Sequence, residues 1–66
     1  MEWHEVGDKR HYRAVGRRGT YDLHNIQNSW EVWFQPKFTR GYQHKTAGIK
    51  YLFEAKRYCE GLDAEE

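Results

Sequence analysis

Apolar and polar residues alternate with a period of two from His11 to Gln35, so this stretch is predicted to form strands rather than helices. His11 to Val15 reads as a first strand and Thr20 to His24 as its return. They are joined by Gly16-Arg17-Arg18-Gly19, whose glycines are free to take the positive φ angles of a hairpin loop. Asn25 to Ser29 is polar apart from Ile26, and a second turn is expected at Asn28-Ser29, where both side chains can bond nearby backbone. Trp30 to Gln35 carries the strongest alternation. Pro36 ends it, because proline has no N–H to give to a ladder.

Successive side chains on a strand point to opposite faces, which divides the residues in two. Tyr12, Ala14, Tyr21, Leu23, Trp30, Val32 and Phe34 form a predicted core face. His11, Arg13, Val15, Thr20, Asp22, His24, Glu31, Trp33 and Gln35 form the other, polar except for Val15 and one indole. Residues 37–46 mix basic and aromatic side chains around Gly41 and read as a basic loop with room for a short fourth strand. From Ala47 the period lengthens to about 3.6. Ile49, Leu52, Phe53, Cys59 and Leu62 then share one stripe of a helix over 47–61, with Thr46 as N-cap, Gly61 as C-terminal stop and 62–66 as an acidic tail.

A three-stranded sheet with one apolar face needs a cover, and the helix stripe is the surface able to supply it. The predicted fold is therefore α+β: a three-stranded antiparallel β-meander (11–35) packed in two layers on one C-terminal helix. Trp3 and Val6 are placed in a short N-terminal strand or a lid on the core edge.

Sixty-six residues fit one small domain. A chain of this length buries only about 60% of its unfolded surface, so a deep catalytic cleft would compete with the core for large side chains. Eleven aromatic residues supply the area that a 38% hydrophobic fraction otherwise lacks. Cys59 is the only cysteine, which removes a disulfide framework, and no apolar run approaches the roughly 20 residues that cross a bilayer. With no signal-peptide pattern in Met1 to Glu5, a cytoplasmic protein without membrane contact is expected.

The net charge of +1 conceals a segregated pattern. Residues 1–8 carry Glu2, Glu5 and Asp8 and no base, and residues 51–66 carry five acids against Lys56 and Arg57. Between them, nine bases face only Asp22 and Glu31. A phosphate feels charge within a screening length of about 8 Å, so the basic middle matters more to it than the total.

Several chemistries are disfavoured by spacing. His4, His11, His24 and His44 are separated by 6, 12 and 19 residues, with no close pair of the kind that holds zinc. Cys59 lies on the apolar stripe, where a thiol is inert. Gly16-Arg17-Arg18-Gly19 lacks the Lys-Ser/Thr of a P-loop and leads into a strand. No catalytic residue, cofactor or metal is assigned.

The outer sheet face remains. Arg13, His11, His24 and Gln35 offer donors, Trp33 a stacking surface worth about 1–3 kcal/mol per base, and Arg17, Arg18, Lys37, Arg40 and Lys45 offer phosphate contacts. Trp33 and the Phe38 to Tyr42 loop would serve equally to anchor a protein partner or a second copy of the chain, since Trp and Arg are favoured at interface hot spots.

The strand around Tyr12-Arg13-Ala14, the glycine-containing hairpin, the Trp30-x-Val32-x-Phe34 strand and a helix after Thr46 containing Ala55-Lys56 form a pattern that resembles small proteins of bacteriophages and other mobile elements. More distantly it resembles the AP2-like DNA-binding module at the N-terminus of phage and transposon integrases. That resemblance implies a sheet face lying in the major groove, with Arg13, Arg17, Arg18, Trp33 and Gln35 at the contact. The expected function is a non-catalytic accessory protein that binds nucleic acid through a basic sheet face and loops; the competing expectation is an interaction module that inhibits or regulates a host protein.

Overall fold

Residues 1–7 and 10–65 are described by a computed structural model, so Asp8 of the acidic N-terminal segment and Glu66 of the tail lie outside the described residues. Five strands precede one helix: β1 (His4–Glu5), β2 (His11–Val15), β3 (Gly19–Ile26), β4 (Ser29–Pro36), β5 (Gln43–Ile49) and α1 (Leu52–Ala64). The strands form one antiparallel sheet in chain order, each hairpin-connected to the next. The α+β class and the helix-on-sheet layering stand as expected, but the sheet has five strands rather than three.

The alternation from His11 to Gln35 places its two sets of side chains as predicted. Ala14, Tyr21, Leu23, Trp30, Val32 and Phe34 are buried, and Tyr12 packs at the edge of the same cluster. Register explains this, since Tyr12 pairs with Leu23 and Leu23 with Val32, while Ala14 pairs with Tyr21 and Tyr21 with Phe34. The Tyr21 and Phe34 rings stack with centroids 4.7 Å apart. From the helix, Ala55 and Cys59 are buried against them, flanked by Leu52 and Leu62. Burial pushes the Cys59 thiol up to about 12, with Glu60 adding to the shift. Trp3 packs on this cluster beside the two-residue β1, so the N-terminal segment is both strand and lid.

Three local expectations need correction. The β3–β4 turn is Gln27-Asn28, with φ of 52° and 64°, leaving Ser29 paired with Ile26; two successive left-handed residues give the tight hairpin whose twist matches the strands. Gly16 and Gly19 do not adopt positive φ. They are needed for space: a Cβ on Gly16 would stand 2.6 Å from Asp63 Oδ1, and one on Gly19 would collide with the Gln35 backbone and stand 2.8 Å from the Phe34 ring.

The third correction concerns the helix, which begins five residues later than the 3.6 period suggests. Thr46 is not its N-cap but pairs with Val32, and Ile49 pairs with Trp30, so residues 47–49 belong to β5. Tyr51 occupies the cap position in extended geometry, and its carbonyl accepts from Glu54 N and Ala55 N. Phe53 is exposed, its place on the core stripe taken by Ala55. Gly61 lies inside the helix, which runs one turn further because the hairpin loop between β2 and β3 satisfies its last carbonyls. Arg18 Nη1 donates to Leu62 O (2.8 Å), and Arg17 Nη2 donates to Asp63 O (3.2 Å) and Glu65 O (3.1 Å). In return the Asp63 carboxylate accepts from Arg17 N (2.9 Å), Arg18 N (2.8 Å) and Tyr21 Oη (3.1 Å). Burial opposes the Asp63 charge, but these donors outweigh it and hold the carboxyl below its ordinary range. Asp63 is thus part of the fold and not of an unpacked tail.

Candidate functional site

The helix covers one face of the sheet and leaves the other open. On the open face the register builds a row across all five strands: His4, Arg13, Asp22, Trp33 and His44, each the cross-strand partner of the next. A second row runs His11, His24, Glu31, and a third Val15, Thr20, Gln35. Pairing preserves the face, so all four histidines of the chain fall on this side.

Asp22 is the centre of the face. It is the one charged side chain that is buried among the described residues, with 3% of the side chain exposed. Arg13 Nε donates to its Oδ1 at 2.7 Å, His11 Nε2 lies 3.1 Å from the same oxygen, and the Tyr42 hydroxyl donates to the carboxylate as well. Burial alone would raise the Asp22 pKa; the bonds from Arg13, Tyr42 and His11 overcome it and lower it. The same contacts raise the pKa of Arg13, through its bond to Asp22 first, and that of Tyr42, through partial burial and then through Asp22.

Two smaller clusters flank this centre. The His11 and His24 rings stack at 4.1 Å, and His24 is held below the ordinary imidazole value by burial first and by His11 second. On the far side, Glu31 Oε1 accepts from Trp33 Nε1 (3.2 Å) and stands 3.8 Å from His44 Nε2, while the Trp33 and His44 rings meet at 4.8 Å with a tilt of 59°. Trp33 is half-buried, steadied by Glu31 and His44 rather than sunk in the core. Among the described residues no three His, Cys, Asp or Glu side chains converge as a metal site would require.

At one end of the face, Pro36 to Thr39 turns sharply, with Thr39 N donating to Pro36 O. Phe38 holds a left-handed φ of 63° there and its side chain is fully exposed, an arrangement that a bulky residue adopts at a cost of about 1–2 kcal/mol. Lys37 and Arg40 beside it are exposed, and Gln35 Nε2 ties the turn to the sheet through Thr39 O (3.2 Å).

The structure therefore groups Arg13, Trp33 and Gln35 on the open face, with Lys37 and Arg40 at its end. It separates the others. Arg17 and Arg18 are bonded to the helix terminus, with Arg18 Nη1 also 3.6 Å from Glu65 Oε2. The Lys45 ammonium stands 5.6 Å from the centroid of the core ring Phe34, at the edge of the helix-covered layer rather than beside Trp33. No family model, curated protein or solved structure matches the chain. The site must speak for itself.

Tyr42 entered the sequence reading only within the Phe38 to Tyr42 anchor loop, and His44 and His4 only as histidines spaced wrongly for zinc; none was placed on the sheet face. Tyr42 and His44 lie in the segment 37–46, read as loop, and His4 in a two-residue strand too short to show any period. The sheet face is also less basic than the segment charge implies, since Arg13 stands against Asp22 and Glu31.

Proposed function

We propose that the open sheet face and the Lys37 to Arg40 turn bind single-stranded nucleic acid, without performing chemistry on it. The observation that carries this reading is the pairing of presented aromatic surface with adjacent exposed cations: Trp33 on the uncovered face, and Phe38 held outward between Lys37 and Arg40. Bases stack on such rings whatever their identity, and cations beside them take the phosphates. A single strand suits this arrangement better than a major groove, because Arg17 and Arg18, which groove binding would use, are occupied by the helix terminus. Arg13, oriented through Nε by Asp22, keeps its Nη groups for a base edge or phosphate.

The test is fluorescence anisotropy with a short labelled oligonucleotide at rising salt. Affinity is expected to fall steeply between about 50 and 200 mM, Lys37→Ala with Arg40→Ala to flatten that slope by about two phosphate contacts, and Trp33→Ala to weaken binding about tenfold at every salt. Salt-independent binding, or none, overturns the reading.

A second reading, a docking face for a protein partner, is favoured by one observation: at neutral pH the sheet face carries one arginine against two carboxylates, while Trp33, Tyr42 and Arg13 are residue types of interface hot spots. It predicts loss of partner capture on Trp33→Ala with little dependence on salt.

A further inference from the structure

We propose that the open face is a histidine-gated phosphate surface, on which protonation of His4, His11, His24 and His44 converts a face of net negative charge into a cationic one that takes the nucleic-acid backbone. The inference rests on the nucleic-acid reading above and adds its regulation. It starts from a placement: the five-strand register gathers every imidazole of the chain onto one side of the sheet, the side the helix leaves uncovered. The fixed charges of the cross-strand rows are Arg13, Asp22 and Glu31, and Glu2 beside His4 offsets Arg10 beside His24, which leaves the face one negative charge in excess while the imidazoles are neutral. Four added protons leave it with an excess of three positive charges. Imidazole is the side chain type whose charge ordinarily changes between pH 5 and 8, the interval in which the face is to be tested.

Each ring has charged or aromatic neighbours. His4 faces Glu2 (3.9 Å) and, across the strand, Arg13. His11 faces Asp22 and the ring of His24. His44 faces Glu31 and Trp33. His24 has His11, Arg13, Asp22 and Glu31 about it, with Arg10 lining the shallow groove beside it, and burial makes it reluctant to accept a proton. Asp22 stays ionised throughout this interval, being held below the carboxylate range. A bound phosphate adds negative charge beside His24 to that of Asp22 and Glu31, so binding and protonation reinforce each other by linkage. Lys37 and Arg40 keep their charge across the interval and provide the affinity that remains when the gate is closed.

The experiment is anisotropy with a rhodamine-labelled oligothymidylate, whose bases do not protonate in this range, at constant ionic strength and at about pH 7.5 and about pH 5.5. The native chain is expected to bind about tenfold more tightly at the lower pH. The combined His4→Gln, His11→Gln, His24→Gln and His44→Gln chain is expected to bind with the same affinity at the two pH values, whatever that affinity is. Should this chain fail to fold, His4→Gln with His44→Gln changes only the two rings with exposed side chains and is expected to remove about half of the gain on the logarithmic scale. Equal affinity at both pH values, or an undiminished gain in the substituted chains, overturns the gate and leaves the nucleic-acid reading standing. Absence of binding at both pH values overturns that reading and the gate with it.

Discussion

Asp22 and Asp63 each gather donors from arginine and tyrosine residues around one carboxylate, and both are held below the ordinary carboxylate pKa, but they lie in different parts of the molecule and perform different work. Asp63 joins the last helical turn to a hairpin loop more than forty residues earlier in the chain. Its bonds fix how the helix sits on the sheet, and with it the burial of Tyr21 and Cys59. Asp22 joins strands that backbone pairing already holds in register. Its buried charge adds little to topology; it aims Arg13, His11 and Tyr42 across an uncovered face. Similar chemistry thus closes the fold in one place and arranges a presented surface in the other.

Breaking the first hub should have the largest effect on folding. Asp63→Ala removes the charged acceptor that ties two loop N–H groups and the part-buried Tyr21 hydroxyl to the helix end, and a loss of about 3 kcal/mol is expected in chemical denaturation, with binding by the folded fraction unchanged. Asp22→Ala is expected to cost less, about 1–2 kcal/mol, since Arg13 is 45% exposed and can turn to solvent and backbone pairing still holds the strands, yet to weaken oligonucleotide binding by loosening Arg13. Trp33→Ala reverses the ratio further, with under about 1 kcal/mol lost in stability and about a tenfold loss in affinity.

The two hubs also set the pH response of stability. Both carboxyls have folded pKa values below their unfolded ones, so each contributes stability that is present above about pH 4 and is lost as pH falls through the folded values. His24 acts in a higher window. Its folded pKa is lowered, so the unfolded chain takes up the proton first and stability declines as pH falls from about 6.5 towards the folded value. The smallest expected effect is that His24→Gln flattens this slope between about pH 7 and 5 in thermal unfolding, leaving the acid limb below it in place.

The alternation from His11 to Gln35 was sufficient to separate core from open face, because a period of two leaves no freedom once one face is apolar. β5 was hidden because Gln43-His44-Lys45-Thr46-Ala47-Gly48 has neither alternation nor a run of β-branched residues; pairing with β4, interrupted by bulges, makes it a strand. Ile49 misled the helix reading, as it lies toward the core from a strand and happened to match the helical spacing of Leu52 and Phe53. Of the candidate site, Arg13, Trp33 and Gln35 followed directly from strand parity. The occupation of Arg17 and Arg18 did not, since it depends on where the helix ends in space, which no local pattern encodes.

The central claim is that the helix-covered layer makes the fold and the open face meets the ligand. Its most direct test is a map of backbone and indole N–H chemical-shift changes as a short oligonucleotide is added to the isotopically labelled chain. The account predicts that changes concentrate at Trp33, Arg13, His44 and the Lys37 to Arg40 turn, with α1 silent. Changes centred on the exposed helix side chains Phe53 and Tyr58, with Trp33 unmoved, would contradict it.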